Sequence, residues 1–258
     1  PESVLAAARN EAAQRGHPEG HYAFSISRSS FTPFMQFADN RALRETLFEA
    51  YTRCGDLDNA ADNKALAVEI AELRHRRAQI KGFASHAHYM LEDRMAGHPS
   101  QVHQLLDQVW QPAQKKAQQE AADLQARIRQ EGQNFELAPW DWWYYTEKLR
   151  AERFDLNETE TKPYFALEQV RDGAFEVARA LFGITFKPAP ALPTYHPDVQ
   201  SYEVIDADGT LIGIFLADYF MRPSKRGGAW MSQFRGQSNL GSNIRPIIVN
   251  CCNFPKAS

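Results

Sequence analysis

The feature that most constrains this chain is a change of pattern at Gly183. Before this glycine, apolar residues recur at the three-and-four spacing of amphipathic helices, and after it short β-rich runs alternate with prolines and an Asp-Gly turn. The two patterns place apolar side chains on one face at different repeats, so one kind of element cannot satisfy both. The sequence therefore predicts helices first and a small sheet afterwards.

Short polar side chains that can cap a helix precede three predicted helices: Asp39 or Asn40, Asp62 or Asn63, and Ser85. The first of these helices is predicted to run through Tyr51 and the third through Met95. The second is predicted to stop at Gly82. In the second helix, the spacing predicts that Leu66, Ile70 and Leu73 point inward.

Three further helices are predicted between Pro99 and Gly183. They begin after His98-Pro99, at Trp140 and at Pro163. The first extends to Glu131, with a bend expected at Pro112 because proline interrupts helix hydrogen bonding. Its apolar face is formed by Val102, Leu105, Leu106 and Val109.

Four β-rich segments follow Gly183, at 201–205, 211–217, 229–234 and 247–250, and an Asp-Gly turn joins the first two as a hairpin. Lys187–Pro193 is expected to be an extended linker or loop. The predicted fold class is mainly α, in an α+β arrangement with a helical layer followed by a small, mainly antiparallel sheet. We assign 1–183 to the helical part and 184–258 to the sheet part.

Composition excludes several classes of protein. The 258 residues carry 29 Lys and Arg against 32 Asp and Glu, a net charge of −3, whereas nucleic-acid-binding proteins usually have a basic excess. No run of about eighteen apolar residues occurs, so no membrane span is predicted. Three cysteines are too few for a disulfide framework and fit a reducing compartment.

Eight histidines raise the question of a metal site. His86 and His88 are two residues apart, which places them on different sides of a helix. His17 and His21 have the spacing of one helical face, but an intervening proline and glycine disfavour a helix there. Neither a His-Glu-x-x-His nor a Cys-x-x-Cys motif is present. We expect surface or structural histidines, and no catalytic zinc bound by this chain alone.

Two other runs admit both a binding and a structural interpretation. The basic run Arg74–Arg77 could contact phosphate, but Glu69 and Glu72 nearby favour a solvated, salt-bridged helix face. The aromatic run Trp140–Tyr145 could stack on bases or sugars, and core packing is the favoured interpretation.

The segment Lys225–Gly228 lacks the spacing of a phosphate-binding loop. Either it is a flexible turn that leads into a strand, or its glycines let another backbone approach an exposed strand edge. Composition and spacing do not choose between these interpretations. In the second, the residues that bind a peptide backbone are Gly228, Ala229, Trp230, Met231 and Ser232.

A series of short motifs extends, in a fixed order, over nearly the whole chain. They are Asp62-Asn63, Leu73-Arg74, Gly82-Phe83, Met95-Ala96, Trp140-Asp141, Tyr144-Tyr145, Glu147-Lys148, Pro163-Tyr164-Phe165, Leu181-Phe182-Gly183, His196-Pro197-Asp198, Asp218–Arg222, Lys225-Arg226, Gly228-Ala229-Trp230 and Asn253-Phe254-Pro255. The series resembles the thimet oligopeptidase family of zinc peptidases. Gly228–Ser232, with Gln237-Ser238 after it, is most similar to the bacterial peptidyl-dipeptidase branch.

The resemblance implies a zincin-like metallopeptidase, in which two histidines of a His-Glu-x-x-His helix hold zinc and the glutamate takes a proton from the activated water. In the family, this helix follows the segment that matches Asn253-Phe254. We therefore expect the chain to be a piece of a longer peptidase that supplies the metal ligands and general base from its downstream part. The implied substrates are short peptides aligned on Gly228–Ser232, from which this branch releases C-terminal dipeptides, whereas the oligopeptidase branch cuts internally.

An alternative of a different class stays open. A stand-alone helical module that binds peptides or acts as a scaffold would need no metal, and a reading frame that stops at Ser258 would favour it. The expected compartment is the cytoplasm, with the periplasm as the alternative because the true N-terminus is not visible.

Overall fold

The computed structural model describes residues 1–154 and 158–255. Helices occupy the first two thirds of the chain and a five-stranded sheet follows Gly183, as the change of pattern predicts. The helices are α1 (Glu2–Gln14), α2 (Arg28–Phe37), α3 (Arg41–Thr52), α4 (Lys64–Ile80), α5 (His86–Leu91), α6 (Pro99–Gln130), α7 (Trp142–Phe154), α8 (Glu158–Thr161) and α9 (Leu167–Phe182). Short 3-10 turns, Pro139–Asp141 and Lys162–Phe165, precede α7 and α9.

The predicted capping residues lie at the helix starts. Asn40 Oδ1 accepts a hydrogen bond from the backbone N–H of Leu43 at 3.2 Å, and Ser85 caps α5 in the same way. Before α4, Asp62 Oδ1 accepts from the backbone N–H of Lys64 at 3.0 Å. These bonds satisfy donors that the first turn of a helix leaves without an intrahelical partner.

Some helix boundaries differ from those predicted. α5 ends at Leu91 rather than Met95, and the segment predicted as one helix from Pro163 is a 3-10 turn followed by α9. α1 and α2 were not predicted, because α1 is rich in alanine without a strong apolar stripe and α2 contains Pro33. Gly183 ends α9 as predicted, in a left-handed conformation (φ 74°) that glycine adopts readily.

The prediction that Leu66, Ile70 and Leu73 point inward is wrong for this chain. The exposed fractions of these side chains lie between 49% and 56%, and Leu105 and Val109 of α6 are similarly exposed. Spacing decides which side chains share a helix face, but not what covers that face. None of the described helices combines the length and the apolar character needed to cross a membrane.

The sheet contains β1 (Thr185–Pro188), β2 (Gln200–Ile205), β3 (Leu211–Phe220), β4 (Trp230–Arg235) and β5 (Ile247–Phe254) in the order β1-β2-β3-β5-β4. Three of the four pairings are antiparallel, which confirms a mainly antiparallel sheet, and β3 pairs with β5 in parallel. The Asp-Gly turn joins β2 to β3 as predicted. β1 lies partly in the segment predicted as a linker, and as an edge strand it tolerates Pro188.

The two faces of the sheet pack against different side chains. On one face, the Phe175 ring of α9 stacks on Phe186 of β1 at 4.1 Å between centroids and meets Phe215 of β3 edge-on at 6.0 Å. On the other face, Val199, Leu216, Val249 and Cys251 form a buried cluster, against which Ile214, Trp230 and Ile247 pack. Trp230, the first residue of β4, therefore contributes to the second face.

The described residues divide into two compact units. One is Met35–Leu149, and the other combines Pro1–Phe34 with Arg150–Ser258. Gly183 separates the helices from the strands, but it is not where the two compact units divide. The assignment of 1–183 and 184–258 to separate parts stays a prediction about domain organisation.

The core of Met35–Leu149 forms where α6 meets α7. Leu124 and Ile128 of α6 are buried with Tyr144 and Tyr145 of α7. The core interpretation of the aromatic run is therefore confirmed for these two tyrosines. The Tyr144 hydroxyl donates a hydrogen bond to Asp39 Oδ1 at 2.6 Å, which satisfies the polar end of a buried ring.

A buried ion cluster joins α3 to the turn before α7. Asp141 is completely buried and accepts hydrogen bonds from Arg41 Nη2 and Arg44 Nη2, each at 2.9 Å. Arg44 is also buried, and its guanidinium donates to the carbonyl oxygens of Ala38 and Trp140. Both charges are thus paired and hydrogen-bonded, which is the condition for burying them.

Candidate functional site

The segment Gly228–Ser232 leads into an edge of the sheet. β4 pairs with β5 on one side, and no described strand pairs with its other side. The strand begins at Trp230, so Gly228 and Ala229 belong to the loop before it. Alternate residues of an edge strand direct their backbone N–H and C=O groups away from the sheet, where an extended peptide can bind.

Of the β4 side chains, only that of Trp230 is partly buried, and those of residues 231–235 are exposed. Trp230 lies opposite Cys251 and packs, partly buried, on the apolar cluster of its face. Met231 lies opposite Asn250 and is 67% exposed, and Ser232 is also exposed. Trp230 therefore anchors the start of the strand, while the next two side chains remain accessible.

The two glycines before β4 keep this end of the edge open. A Cβ atom at either Gly227 or Gly228 would meet no other atom within 4 Å. Gly228 has a φ of +98°, which L-amino acids rarely adopt, whereas Gly227 has no such conformation. The backbone conformation of the loop, rather than a shortage of space, therefore requires glycine at position 228.

A buried carboxylate binds the side chains of this loop. Asp218, near the end of β3, is completely buried and accepts hydrogen bonds from Arg222 Nη1 and Nη2, both at 2.7 Å. The hydroxyl of Tyr195 donates to Asp218 Oδ2 at 2.7 Å, and Lys225 Nζ lies 2.7 Å from Asp218 Oδ1. Asp218 therefore holds two cations and a phenol.

Lys225 also ties the loop to the ends of two strands. Its side chain is 3% exposed, and its ammonium group donates to three backbone carbonyl oxygens: those of Asp218 at 2.8 Å, Phe220 at 2.6 Å and Cys252 at 2.9 Å. The first two belong to β3 and the third to β5. A buried ammonium bound in this way has no freedom to move without losing several charge-assisted hydrogen bonds.

Asn253, at the end of β5, fixes the part of the loop next to β4. Its Nδ2 atom donates to the carbonyl oxygens of Arg226 at 3.0 Å and Gly228 at 2.7 Å. The backbone that precedes the strand is therefore held by a side chain from its neighbour. The backbone at the start of the open edge is thus held in place both by Asn253 and by the pairing of β4 with β5.

The electrostatics of the Asp218 cluster follow from its contacts. Burial by itself would raise the pKa of Asp218, but hydrogen bonds from Arg222, Lys225 and Tyr195 lower that pKa well below its usual range. Burial and the bond to Asp218 raise the pKa of Tyr195, and the bond to the carboxylate raises the pKa of Arg222. These three groups are therefore not poised to exchange a proton near neutral pH, and the cluster has the properties of a structural support.

No role was predicted for the members of this cluster. Asp218, Arg222 and Lys225 belong to motifs that carry the family resemblance, but their chemistry was not recognised. The available signal is an aspartate in the second half of an otherwise apolar strand, followed by two cations at the fourth and seventh residues. A buried charge needs partners, so this pattern indicates an ion cluster.

The histidines make contacts of other kinds. The His17 and His21 rings stack with centroids 6.3 Å apart, outside any helix. His88 meets the ring of His98 at 5.0 Å and bonds to the Ser85 hydroxyl at 2.8 Å. In residues 1–154 and 158–255, no three or more His, Cys, Asp or Glu side chains are grouped so as to hold a metal ion. The residues described here thus do not fit a zinc site.

The basic run Arg74–Arg77 lies on the exposed surface of α4. The Arg77 guanidinium stacks over the ring of Tyr89 with its carbon 5.4 Å from the centroid. This placement is that of a solvated helix face.

Residues 34–258 match the model of peptidase family M3. The chain belongs to this family. It is 36% identical over 257 residues to the dipeptidyl carboxypeptidase of Salmonella typhimurium, which covers 99% of this chain and 37% of that protein. It is 37% identical over 260 residues to oligopeptidase A of Escherichia coli, covering 98% of this chain and 38% of that protein. The organellar oligopeptidase A of Arabidopsis thaliana is 34% identical over 270 residues, with coverages of 98% and 34%.

Membership of family M3 confirms the resemblance to zinc metallopeptidases, and peptidases of this family depend on zinc. The chain spans 34–38% of the length of the three relatives. Their names include both a carboxypeptidase and oligopeptidases, so similarity does not choose between release of C-terminal dipeptides and internal cleavage.

Proposed function

We propose that the protein is a zinc metallopeptidase that acts on short peptides and releases dipeptides from their C-termini. The observation that carries this proposal is the open edge of β4 in a member of a peptidase family. Backbone groups along such an edge bind an extended peptide whatever its side chains are. That property suits an enzyme with varied peptide substrates.

In this proposal the substrate adds to β4 as an antiparallel strand, and Gly228–Ser232 binds its backbone. Trp230 anchors the strand in the core, so the edge keeps its position when a peptide binds. Gly227 and Gly228 present no side chains to the passing backbone. Met231 and Ser232 alternate faces, so they contact side chains on opposite sides of the peptide.

In this proposal, peptide binding and zinc chemistry belong to different parts of the protein. The described residues bind and orient the peptide, and the metal ligands and general base come from outside them, since no ligand group is present among them. The 258 residues alone are then expected to bind no catalytic zinc and to hydrolyse no peptide. Their partner is the remainder of the same catalytic domain. The proposed compartment is the cytoplasm, with the periplasm as the alternative; the three cysteines are free thiols.

Hydrolysis of short peptides by the full-length protein tests the reaction. We expect mass spectrometry to show stepwise loss of two residues from the C-terminus, abolished by a chelator and absent with the isolated 258 residues. Internal fragments without dipeptides would indicate an oligopeptidase instead. Peptide binding without hydrolysis would favour the binding-module alternative, and activity of the isolated chain in EDTA would contradict the proposed division.

The role of the edge is tested by Gly228→Ala, with Gly227→Ala as the matched control. A side chain at the positive φ of position 228 costs about 1–2 kcal/mol, so the loop shifts and kcat/KM falls by about tenfold or more. Gly227→Ala introduces the same methyl group without that strain and should change kcat/KM less than about threefold. Zinc content should be unchanged in both. Equal activities of the two variants would show that the loop before β4 does not position substrate.

A further inference from the structure

Two arginines flank β4, one beyond its start and one at its end, and their side chains differ in what they bind. At the end, Arg235 Nε donates to the backbone carbonyl oxygen of Arg245 at 2.7 Å. Before the start, the guanidinium carbon of Arg226 lies 4.7 Å from the centroid of the Trp230 ring. Among the residues that the structure describes, no carboxylate forms an ion pair with Arg226 within 4.0 Å. The exposed guanidinium of Arg226 is thus oriented by the Trp230 ring, and no carboxylate of the described residues pairs with it.

Stacking on Trp230 prepares this guanidinium for a carboxylate. The ring attracts the cation and restricts its orientation, while the N–H groups at its edge remain available. The backbone of Arg226 is restrained as well, because its carbonyl oxygen accepts the hydrogen bond from Asn253. A planar guanidinium binds a carboxylate through two parallel hydrogen bonds, which an ammonium cannot do.

The polarity of strand pairing determines which end of a peptide reaches Arg226. In an antiparallel pair, the C-terminal end of the added strand lies beside the N-terminal end of the strand that receives it. A peptide bound to β4 in this way ends near Trp230 and the loop before it. Gly227, Gly228 and Ala229 lie between Arg226 and the strand, and the two glycines have no side chain that could obstruct the approach.

The local charge also favours an anion. From Asp218 to Trp230 the sequence contains three cations, Arg222, Lys225 and Arg226, and one carboxylate, Asp218, a balance of 3 − 1 = +2. Arg222 and Lys225 bind Asp218, so Arg226 is the cation of this segment that has no carboxylate partner in the described structure. Such an excess attracts a negatively charged group to this end of the strand.

We propose that Arg226 binds the free C-terminal carboxylate of the peptide and so selects peptides with an open C-terminus. This inference rests on the proposed function and specifies the end of the substrate that the site recognises. Arg226 is a specificity-determining residue in this account, and it takes no part in bond cleavage.

The test compares one short peptide as its free acid and as its C-terminal amide, with the full-length protein. We expect the wild type to prefer the acid by about 10- to 100-fold in kcat/KM, the range for a hydrogen bond to a charged group. Arg226→Gln should reduce this preference to less than about threefold, mainly through KM. Arg226→Lys should restore part of it. Arg235→Gln, the matched control at the other end of β4, should keep the full preference.

Each contrary result has a separate meaning. An undiminished preference in Arg226→Gln, in a variant with unchanged thermal stability, would overturn the role of Arg226. Loss of the preference in Arg235→Gln alone would overturn it too and would indicate a parallel peptide. If the wild type hydrolyses neither peptide, the proposed function fails. In that case, calorimetry of the wild type and of Arg226→Gln with both peptides tests the role of Arg226 separately. The wild type must bind the acid more tightly than the amide, and Arg226→Gln must bind the two equally.

Discussion

Asp141 and Asp218 are both completely buried carboxylates, and each is bound by two cationic side chains. The partners of Asp141, Arg41 and Arg44, precede it by 100 and 97 residues. The nearest cations of Asp218, Arg222 and Lys225, follow it by four and seven residues. The first cluster therefore holds together distant parts of Met35–Leu149, and the second shapes a loop close to its own strand.

The comparison shows that sequence separation decides what a buried ion pair stabilises. Breaking the Asp141 cluster leaves Arg44 as a buried charge between elements that the whole unit keeps in place. When the Asp218 cluster is broken, the guanidinium of Arg222, whose side chain is 17% exposed, can turn to water, and Lys225 keeps its three backbone carbonyl acceptors. The same chemistry thus contributes to the stability of a fold in one case and to the conformation of the loop before an edge strand in the other.

The largest expected effect is that of Asp141→Asn. Removing this charge should lower the free energy of unfolding by about 3–5 kcal/mol, because Arg44 then remains buried without a counter-ion. Asp218→Asn is the matched substitution and should cost less, since the partly exposed Arg222 can become solvated and Lys225 keeps three backbone carbonyl acceptors. Urea unfolding of both variants measures the difference. Equal decreases in the free energy of unfolding would show that the two clusters contribute equally to stability, which would contradict this comparison.

A smaller and local effect is expected for Lys225→Met. Loss of the charged donor should cost about 1.5–3 kcal/mol in the loop, so amides of 222–229 should exchange with solvent about 10- to 100-fold faster. Lys148→Met is the control, because Lys148 binds Glu131 at 2.8 Å within the helical unit. Hydrogen exchange measured by mass spectrometry locates the change. Faster exchange throughout Met35–Leu149 in Lys225→Met would contradict a local role.

The smallest effect is on the pH dependence of stability. The contribution of Asp218 to the free energy of unfolding should fall at acidic pH and stay constant near neutral pH. Hydrogen bonds from its partners lower the pKa of Asp218 in the folded state, so its stabilisation is complete above the unfolded pKa of about 3.9 and is lost as pH falls toward the folded value. The stability difference between wild type and Asp218→Asn should be constant from about pH 8 to pH 5 and shrink below about pH 4. Urea midpoints across this range provide the measurement. A difference that changes between pH 5 and pH 8 would assign the effect to another group.

Elements governed by neighbours in the chain were predictable. Asn40 and Ser85 cap helices, and Gly183 ends one, because each acts on backbone groups within about one turn. The Asp-Gly hairpin between β2 and β3 follows the same logic. The exposure of Leu66, Ile70 and Leu73 was not predictable, since it depends on what else packs on that face.

The candidate site was predictable in part. The glycine pair and the β-rich run leave two interpretations of Gly228–Ser232 open, and the family resemblance favours the strand edge; the structure has this segment at the start of an edge strand. Its support was not recognised, because Tyr195 is 23 residues from Asp218 and Lys225 is 27 residues from Cys252. Contacts at such separations leave no periodic trace in the sequence.

The family can be inferred from an ordered series of motifs, and the succession of a helical part and a sheet part can be inferred from local periodicity. The position of β5 between β3 and β4, which makes β4 an edge strand, is evident only from the folded structure. The apolar pattern of a strand records which of its faces is buried, but not which strand lies beside it. Strand order follows from pairings between distant residues, and it is this order that leaves one side of β4 open.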